Sequence, residues 1–216
     1  PYTTLFRSII ALCDITHDSI ILDIGGTTTD IAVFAGGAPL IDPEGIAIGS
    51  YPTLVRALQT RSIGVGGDSA LSVLGEAVRV GPLRRGPPMA LGGRVPTLVD
   101  VLNAKGLCSF GDAEASRRGV AEFARDHSIA PDALLDLALA DALGRIKTAV
   151  AEFLREINDK PVYTIFELLR GRQVKPRRAY VMGGPALVLA PLLRQTLGLP
   201  VAAPAHHDVA NAIGAA

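Results

Sequence analysis

Short apolar runs at 19–22 and 31–34 flank a polar stretch with paired glycines. Runs of β-branched and apolar residues bounded by turn residues predict strands. This part of the chain therefore predicts a strand, a tight turn and a second strand. A turn over 38–44 and a third short strand over 45–49 follow, which together predict an antiparallel meander.

The middle of the chain has a helical period instead. Two helices are predicted, over 112–125 and 131–158, and the longer one repeats its apolar residues at the spacing of one buried helical face. The other predictions here are short helices over 101–105 and 165–169, a helical part over 101–171, Asp100 as an N-cap, and a solvated face formed by Glu152, Arg155 and Glu156.

The last third returns to a strand, a turn and a helix. Residues 178–182 predict a strand, 183–184 a Gly-Gly turn, and 187–197 a helix. Small residues over 209–216 predict a further helix. The preceding segment 206–208, His-His-Asp, is either a metal site or a loop with a helix cap.

The polar stretch between the first two strands reads Asp23-Ile24-Gly25-Gly26-Thr27-Thr28-Thr29-Asp30. Paired glycines permit backbone torsions that a Cβ blocks, so such a turn can direct several amides into one concave space. Amides suit an oxyanion, and a carboxylate at each end suits a hydrated divalent cation. A bare Gly-Gly turn is more often an ordinary polar hairpin tip, but the full string is more specific.

Composition excludes some function classes. Lysine plus arginine equals aspartate plus glutamate, at 21 each in 216 residues, so no global charge favours a nucleic acid or an anionic membrane. Cys13 and Cys108 lack metal-ligand spacing, and no apolar run reaches the roughly 20 residues of a membrane span, which predicts a cytoplasmic protein. Residues 1–8 resemble a translated sequencing adapter, so we expect a metagenomic fragment whose native part is 9–216.

The eight-residue string resembles the second phosphate-binding loop of the actin, sugar-kinase and Hsp70 ATPase superfamily. More narrowly, it resembles the large (A-type) subunit of the hydantoinase/oxoprolinase family. The resemblance covers nearly all of residues 19–216. It implies an α/β fold, the actin-like (ribonuclease H-like) ATPase lobe, with a mixed sheet that starts antiparallel and a helical insertion. The order of the motifs implies the truncated second, C-terminal lobe of a two-lobe protein.

The resemblance also implies roles for residues. Asp23 would hold Mg²⁺ or orient the attacking group, and Asp30 would support it. Backbone amides and threonine hydroxyls of the first turn would contact the phosphates of ATP, and the turn at 183–184 would accommodate the adenosine. The implied ATP-binding residues are Gly25, Gly26, Thr27, Thr28, Gly183 and Gly184.

Two positions depart from the family's motifs. Asp68 replaces the third glycine of Ile-Gly-x-Gly-Gly-Gly-Ser, and Val99 replaces the second threonine of Pro-Thr-x-Thr-Asp. Asp68 either faces a cation or a substrate amine, or belongs to a structural turn. After residues 78–80, predicted as the start of a surface loop, comes a Gly- and Pro-rich loop over 81–97. Its Arg84 and Arg85 either bind an anionic substrate or a partner subunit, or form a solvated pair.

The implied function is ATP-dependent opening of a cyclic amide, such as a hydantoin or 5-oxoproline, through phosphoryl activation of the amide. The implied partners are the missing N-terminal lobe and a second, B-type subunit, and we expect the fragment alone to be inactive. Two alternatives remain open in the same superfamily: a small-molecule kinase, and an ATPase that acts as a chaperone or reactivating factor.

Overall fold

The structure is a computed structural model that describes residues 12–42, 47–48, 51–52, 57–75, 77–159, 173–210 and 212. The strands are β1 Ser19–Ile24, β2 Thr29–Ala35, β3 Ala38–Pro39, β4 Ile41–Asp42, β5 Ala47–Ile48, β6 Tyr51–Pro52, β7 Ala57–Leu58, β8 Thr60–Ile63, β9 Leu71–Leu74, β10 Ala77–Val80, β11 Arg178–Met182 and β12 Val201–Ala202. The helices are α1 Leu98–Ala104, α2 Ala113–Asp126, α3 Pro131–Asp159 and α4 Ala186–Leu197, with a 3-10 helix at Met89–Leu91. The predictions for 1–8, for 165–171 and for most of 209–216 lie outside the described residues.

Six of the described strands form one mixed sheet in the order β12-β11-β1-β2-β3, with β8 also paired to β2. The central strand β1 runs parallel to β11 and antiparallel to β2. β12 runs parallel to β11, whereas β3 and β8 run antiparallel to β2. Because β1 and β11 are adjacent and parallel, the turns that follow them lie side by side at one edge of the sheet.

The sheet is buried on both faces, which explains the continuous apolar runs in its central strands. Successive side chains of a strand point to opposite faces. Ile20 and Leu22 pack into the larger core with the helices, whereas Ile21 packs with Phe34 in a smaller core on the other face. By this alternation, Asp23 lies on the same face as Ile21, at the end of the strand.

α2 and α3 confirm the helices predicted over 112–125 and 131–158. α3 packs against the other three helices and against β2, β8 and β10. Asp112 is the N-cap of α2, and its carboxylate accepts hydrogen bonds from the amides of Glu114 and Ala115 at 3.0 Å. None of the described helices is long and apolar enough to cross a bilayer. The buried residues of α3 are Leu134, Leu135, Ala138, Leu139, Ala142, Ile146, Ala149, Val150, Phe153 and Ile157.

Two predictions for the chain after β2 are wrong, one for a strand and one for a loop. Ala47–Ile48 pairs with Tyr51–Pro52 in a separate two-stranded sheet, and β8 pairs with the turn end of β2 instead. Residues 78–80 are part of β10, which pairs with β9, so the surface loop begins only at Gly81. The sequences of β8, β9 and β10 mix polar and apolar residues. Hydrophobic pattern alone therefore did not reveal the pairing of β8 with β2 or of β10 with β9.

One prediction for helical residues is also wrong, because Thr97 is the N-cap of α1 and Asp100 is the third helical residue. The predicted solvated face of α3 is confirmed, because Glu152, Arg155 and Glu156 are all exposed. Glu152 and Glu156 also accept hydrogen bonds from Arg61 of β8 at 3.3 and 2.5 Å. Arg61 also lies over the ring of Phe153, 5.6 Å from its centroid, which favours this placement of the cation.

Candidate functional site

The turn between β1 and β2 is held closed by its own backbone. The Gly25 amide donates to the Thr28 carbonyl at 2.9 Å, so it does not point into the concave space. Thr29 is buried, and its hydroxyl donates to the Val65 carbonyl at 2.7 Å. Within the described part of the chain, the amides of Gly26 and Thr27 have no hydrogen-bond acceptor, and the hydroxyls of Thr27 and Thr28 have no partner.

A second glycine turn, residues 64–69, packs directly on this first turn. The Gly67 amide donates to the Gly25 carbonyl at 2.9 Å, and the Asp68 amide donates to the Gly26 carbonyl at 2.6 Å. A Cβ on Gly66 would lie 2.7 Å from the carbonyl oxygens of both Gly25 and Gly26, closer than real Cβ atoms come. Glycine at this position therefore allows the two turns to pack together.

Ser69 joins the same two turns through its buried side chain. Its hydroxyl accepts from the Gly66 amide at 2.8 Å and donates to the Thr27 carbonyl at 3.4 Å. The carbonyls of the first turn are thus occupied by the second turn. The amides of Gly26 and Thr27 and the hydroxyls of Thr27 and Thr28 take no part in this contact.

The third glycine turn follows β11. Gly183 has a φ of +96°, and a Cβ there would overlap the Ile24 carbonyl and lie 3.3 Å from Oδ1 of Asp23. Its amide donates to the His207 carbonyl at 2.8 Å, and Nδ1 of His207 lies 3.0 Å from the Gly183 carbonyl. Gly184 is exposed, with open space where a Cβ would lie.

Two carboxylates lie at the end of the β1–β2 pair, where the first turn begins. Asp23 and Asp30 are direct partners in the β1–β2 register, so both side chains lie on the same face of the sheet. A Mg²⁺ ion usually takes one or two carboxylates together with phosphate oxygens and waters, and this pair fits that donor set. No group of three or more metal-ligating side chains occurs among the described residues.

The loop after β10 is anchored beside these turns by Asp100. The Val99 amide donates to the Gly67 carbonyl at 2.9 Å, which fixes the start of α1 against the second turn. The buried carboxylate of Asp100 accepts five hydrogen bonds at 2.7 to 3.0 Å, and this satisfies its charge without a cation. The donors are the amides of Met89, Ala90 and Thr97 and the hydroxyls of Thr97 and Ser116.

A sequence model described as hydantoinase/oxoprolinase matches residues 8–216. The chain belongs to the hydantoinase/oxoprolinase family. Comparison with curated proteins finds no match. Two solved structures are similar in fold to this hydantoinase/oxoprolinase family member.

The nucleotide-free structure of acetone carboxylase is similar at a TM-score of 0.64 and 18% identity. That similarity covers 98% of this chain and 30% of the carboxylase chain. The ATP-dependent caprolactamase from Pseudomonas jessenii is similar at a TM-score of 0.70 and 20% identity, over 98% of this chain and 31% of that chain. The chain therefore spans about a third of the length of these structures. The predicted α/β fold with a mixed sheet that starts antiparallel is confirmed.

In this hydantoinase/oxoprolinase family member, the structure brings the predicted site residues of the first and third turns to one edge of the sheet, and the second turn packs on the first. Their roles toward ATP and Mg²⁺ stay predictions. Three contributions were missed from the sequence: the support of Gly183 by His207, the buried hydrogen bond of Thr29, and an ion pair between Asp68 and Arg84 at 2.8 Å. The anchoring role of Asp100 was also missed, although it had a usable signal, because Thr97-x-x-Asp100 has the spacing of a capping box.

Proposed function

We propose that this chain is the second lobe of an ATP-dependent hydrolase that opens a cyclic amide of the hydantoin or 5-oxoproline type. The observation that carries the proposal is the convergence of the turns at 25–28, 66–68 and 183–184 beside the facing carboxylates of Asp23 and Asp30. Family membership supports it. The neighbour from Pseudomonas jessenii, an ATP-dependent caprolactamase, supports the same class, because a lactam is a cyclic amide.

The phosphates of ATP would bind at the open side of the first turn. The amides of Gly26 and Thr27 and the hydroxyls of Thr27 and Thr28 are the donors without a protein partner in the described chain. Such donors stabilise the negative charge of transferring phosphoryl oxygens because they are fixed before the reaction begins. Gly25 would serve by closing the turn.

The adenosine would lie against the turn at 183–184. Gly184 leaves open space where a side chain would obstruct a ligand, and Gly183 brings the backbone against Ile24 and Asp23. Asp23 and Asp30 would hold Mg²⁺, which neutralises phosphate charge during phosphoryl transfer.

The proposed reaction begins with attack of the amide oxygen on the γ-phosphorus, which forms a C–O–P linkage and releases ADP. Water then adds to the activated carbon, and the ring C–N bond breaks to leave an amine and an acyl phosphate. A second water hydrolyses the acyl phosphate to a carboxylate and inorganic phosphate. The net reaction consumes one ATP and two waters for each ring opened, and coupling to ATP overcomes the resonance stabilisation of the amide.

The proposal requires partners outside this chain. A first lobe would supply the opposite half of the phosphate clamp, and a B-type subunit would complete hydrolysis of the activated amide. We place this enzyme in the cytoplasm, where ATP is available, and expect the isolated chain to be inactive.

The test is product analysis with the intact gene product and its partner subunit. Hydantoin and 5-oxoproline would each be incubated with ATP and Mg²⁺, and ring-opened product, ADP and inorganic phosphate would be quantified. Equal amounts of all three products are expected, with turnover reduced at least about tenfold by Thr27→Val. Thr148→Val, an exposed position on α3, is the matched control and should be silent.

Other outcomes assign the alternatives. A phosphorylated small molecule without ring opening would identify a kinase. Bicarbonate-dependent product would identify a carboxylase, the activity named for the acetone carboxylase neighbour. ATP turnover that depends only on a protein partner would favour a chaperone or reactivating factor.

A further inference from the structure

Asp68 and Arg84 form an ion pair at the rim of the first turn. Oδ2 of Asp68 accepts from Nη2 of Arg84 at 2.8 Å. The same oxygen is the nearest atom to the position of a Cβ on Gly26, at 2.9 Å. The carboxylate oxygen that binds Arg84 therefore also lies beside Gly26.

The backbone fixes both partners of the pair. Asp68 is held by the hydrogen bond from its amide to the Gly26 carbonyl at 2.6 Å. On the other side, the Ala70 amide donates to the carbonyl of Leu83, the residue before Arg84, at 2.9 Å. The Gly81 amide also donates to the Ala70 carbonyl at 2.9 Å. The approach of Arg84 to the first turn is thus a consequence of loop anchoring as well as of a long side chain.

A carboxylate beside Gly26 opposes the binding of phosphate, because like charges repel most strongly at short range. Arg84 reverses that effect. The Arg84 guanidinium has five N–H donors, and the ion pair with Asp68 engages only its Nη2 group. The Arg84 side chain is 54% exposed, whereas that of Asp68 is 20% exposed. Arginine is well suited to contact a second anion while it remains paired, because its donors point outward from one plane.

We propose that Arg84 contacts the phosphates of the bound nucleotide and that Asp68 is the residue that positions it. This proposal rests on the proposed function, since it needs a nucleotide at the first turn. It goes beyond the family resemblance, because the matching motifs have glycine at the position of Asp68 and no fixed residue at the position of Arg84. The departure at Asp68 and the arginine at the variable position 84 then act together.

The test is the affinity of the intact protein for ATP and for adenosine, measured by isothermal titration calorimetry. Arg84→Ala should raise the Kd for ATP about tenfold or more and leave the Kd for adenosine unchanged. Arg84→Lys should restore part of the loss. Arg85→Ala removes the neighbouring exposed charge and is the matched control, with unchanged affinities expected. An unchanged ATP affinity in Arg84→Ala, or an equal loss for adenosine, would overturn the proposal.

A second background separates direct contact from simple neutralisation of Asp68. Asp68→Asn removes the negative charge and keeps the shape of the side chain. If Arg84 contacts phosphate, Arg84→Ala still weakens ATP binding in the Asp68→Asn background. If Arg84 only neutralises Asp68, its loss is silent there and the proposal is wrong. Failure of the unmodified intact protein to bind ATP would overturn the proposed function as well, which is a distinguishable result.

Discussion

Asp23 and Asp30 lie directly opposite each other on antiparallel strands, at the point where the sheet meets the candidate phosphate turn. Two carboxylates on one face of the sheet are donors that a hydrated Mg²⁺ takes, together with phosphate oxygens and waters. We therefore expect Mg²⁺ to bind the intact protein at this pair.

Asp30→Asn should accordingly separate stability from function. We expect the variant to stay within about 0.5 kcal/mol of the stability of the unmodified protein without Mg²⁺, because asparagine keeps the shape of the aspartate side chain. The stabilisation that Mg²⁺ gives to the unmodified protein should shrink. Thermal unfolding of the intact protein with and without Mg²⁺ measures both effects. Asp14→Asn, at an exposed position, is the control and should not alter the response to Mg²⁺. A full Mg²⁺ response in Asp30→Asn would exclude Asp30 from the ion site.

Gly66→Ala tests the packing between the first two glycine turns. The new Cβ would meet backbone carbonyls of Gly25 and Gly26 at 2.7 Å, and backbone cannot move aside as a flexible side chain can. We expect a loss of about 1 to 3 kcal/mol in the free energy of unfolding, together with weaker ATP binding because the first turn shifts.

The matched control is Gly144→Ala in α3, where a Cβ meets open space. That change should raise stability by about 0.8 to 1 kcal/mol through helix propensity alone. Chemical denaturation of both variants provides the comparison. Equal stability of Gly66→Ala and the unmodified protein would mean that the two turns are not packed as described.

How much of this arrangement the sequence predicts depends on the range of each interaction. The turn and candidate ligands lie within the string Asp23 to Asp30, and the apolar runs directly on either side predict the two strands, so local pattern was sufficient. β8 was missed because its partner β2 lies about thirty residues away and because Arg61 interrupts its apolar character. The pairing of Asp68 with Arg84 joins two loops with no periodicity, and only the folded backbone brings them together.

Asp100→Asn tests the anchor of the loop over 81–97. The asparagine side chain keeps one acceptor oxygen and replaces the other with an NH₂ group. That NH₂ group would face N–H and O–H donors that now donate to the carboxylate of Asp100. Because the site is fully buried, the unsatisfied groups cannot turn to water, and we expect a loss of about 3 kcal/mol or more. Asp126→Asn, at an exposed position in α2, should stay within about 0.5 kcal/mol of the unmodified protein. Denaturant unfolding of both variants decides the point, and a loss in Asp100→Asn no larger than in the control would contradict the buried network.

His207 offers a test of the third turn that distinguishes it from the first. Its backbone carbonyl and its ring both contact Gly183, so His207→Ala removes the contact between the ring and the Gly183 carbonyl and leaves the backbone hydrogen bond. We expect the Kd values for ATP and for adenosine to rise by a similar factor of about five to ten, because the turn supports the nucleoside and not the phosphates. His207→Asn can place its side-chain N–H near the position of Nδ1 and should recover much of the loss.

The control is His206→Asn, since His206 has a φ of +59° that asparagine tolerates, and it should leave both affinities unchanged. A loss restricted to ATP in His207→Ala would instead assign this turn to phosphate binding, and no loss for either ligand would remove it from the site.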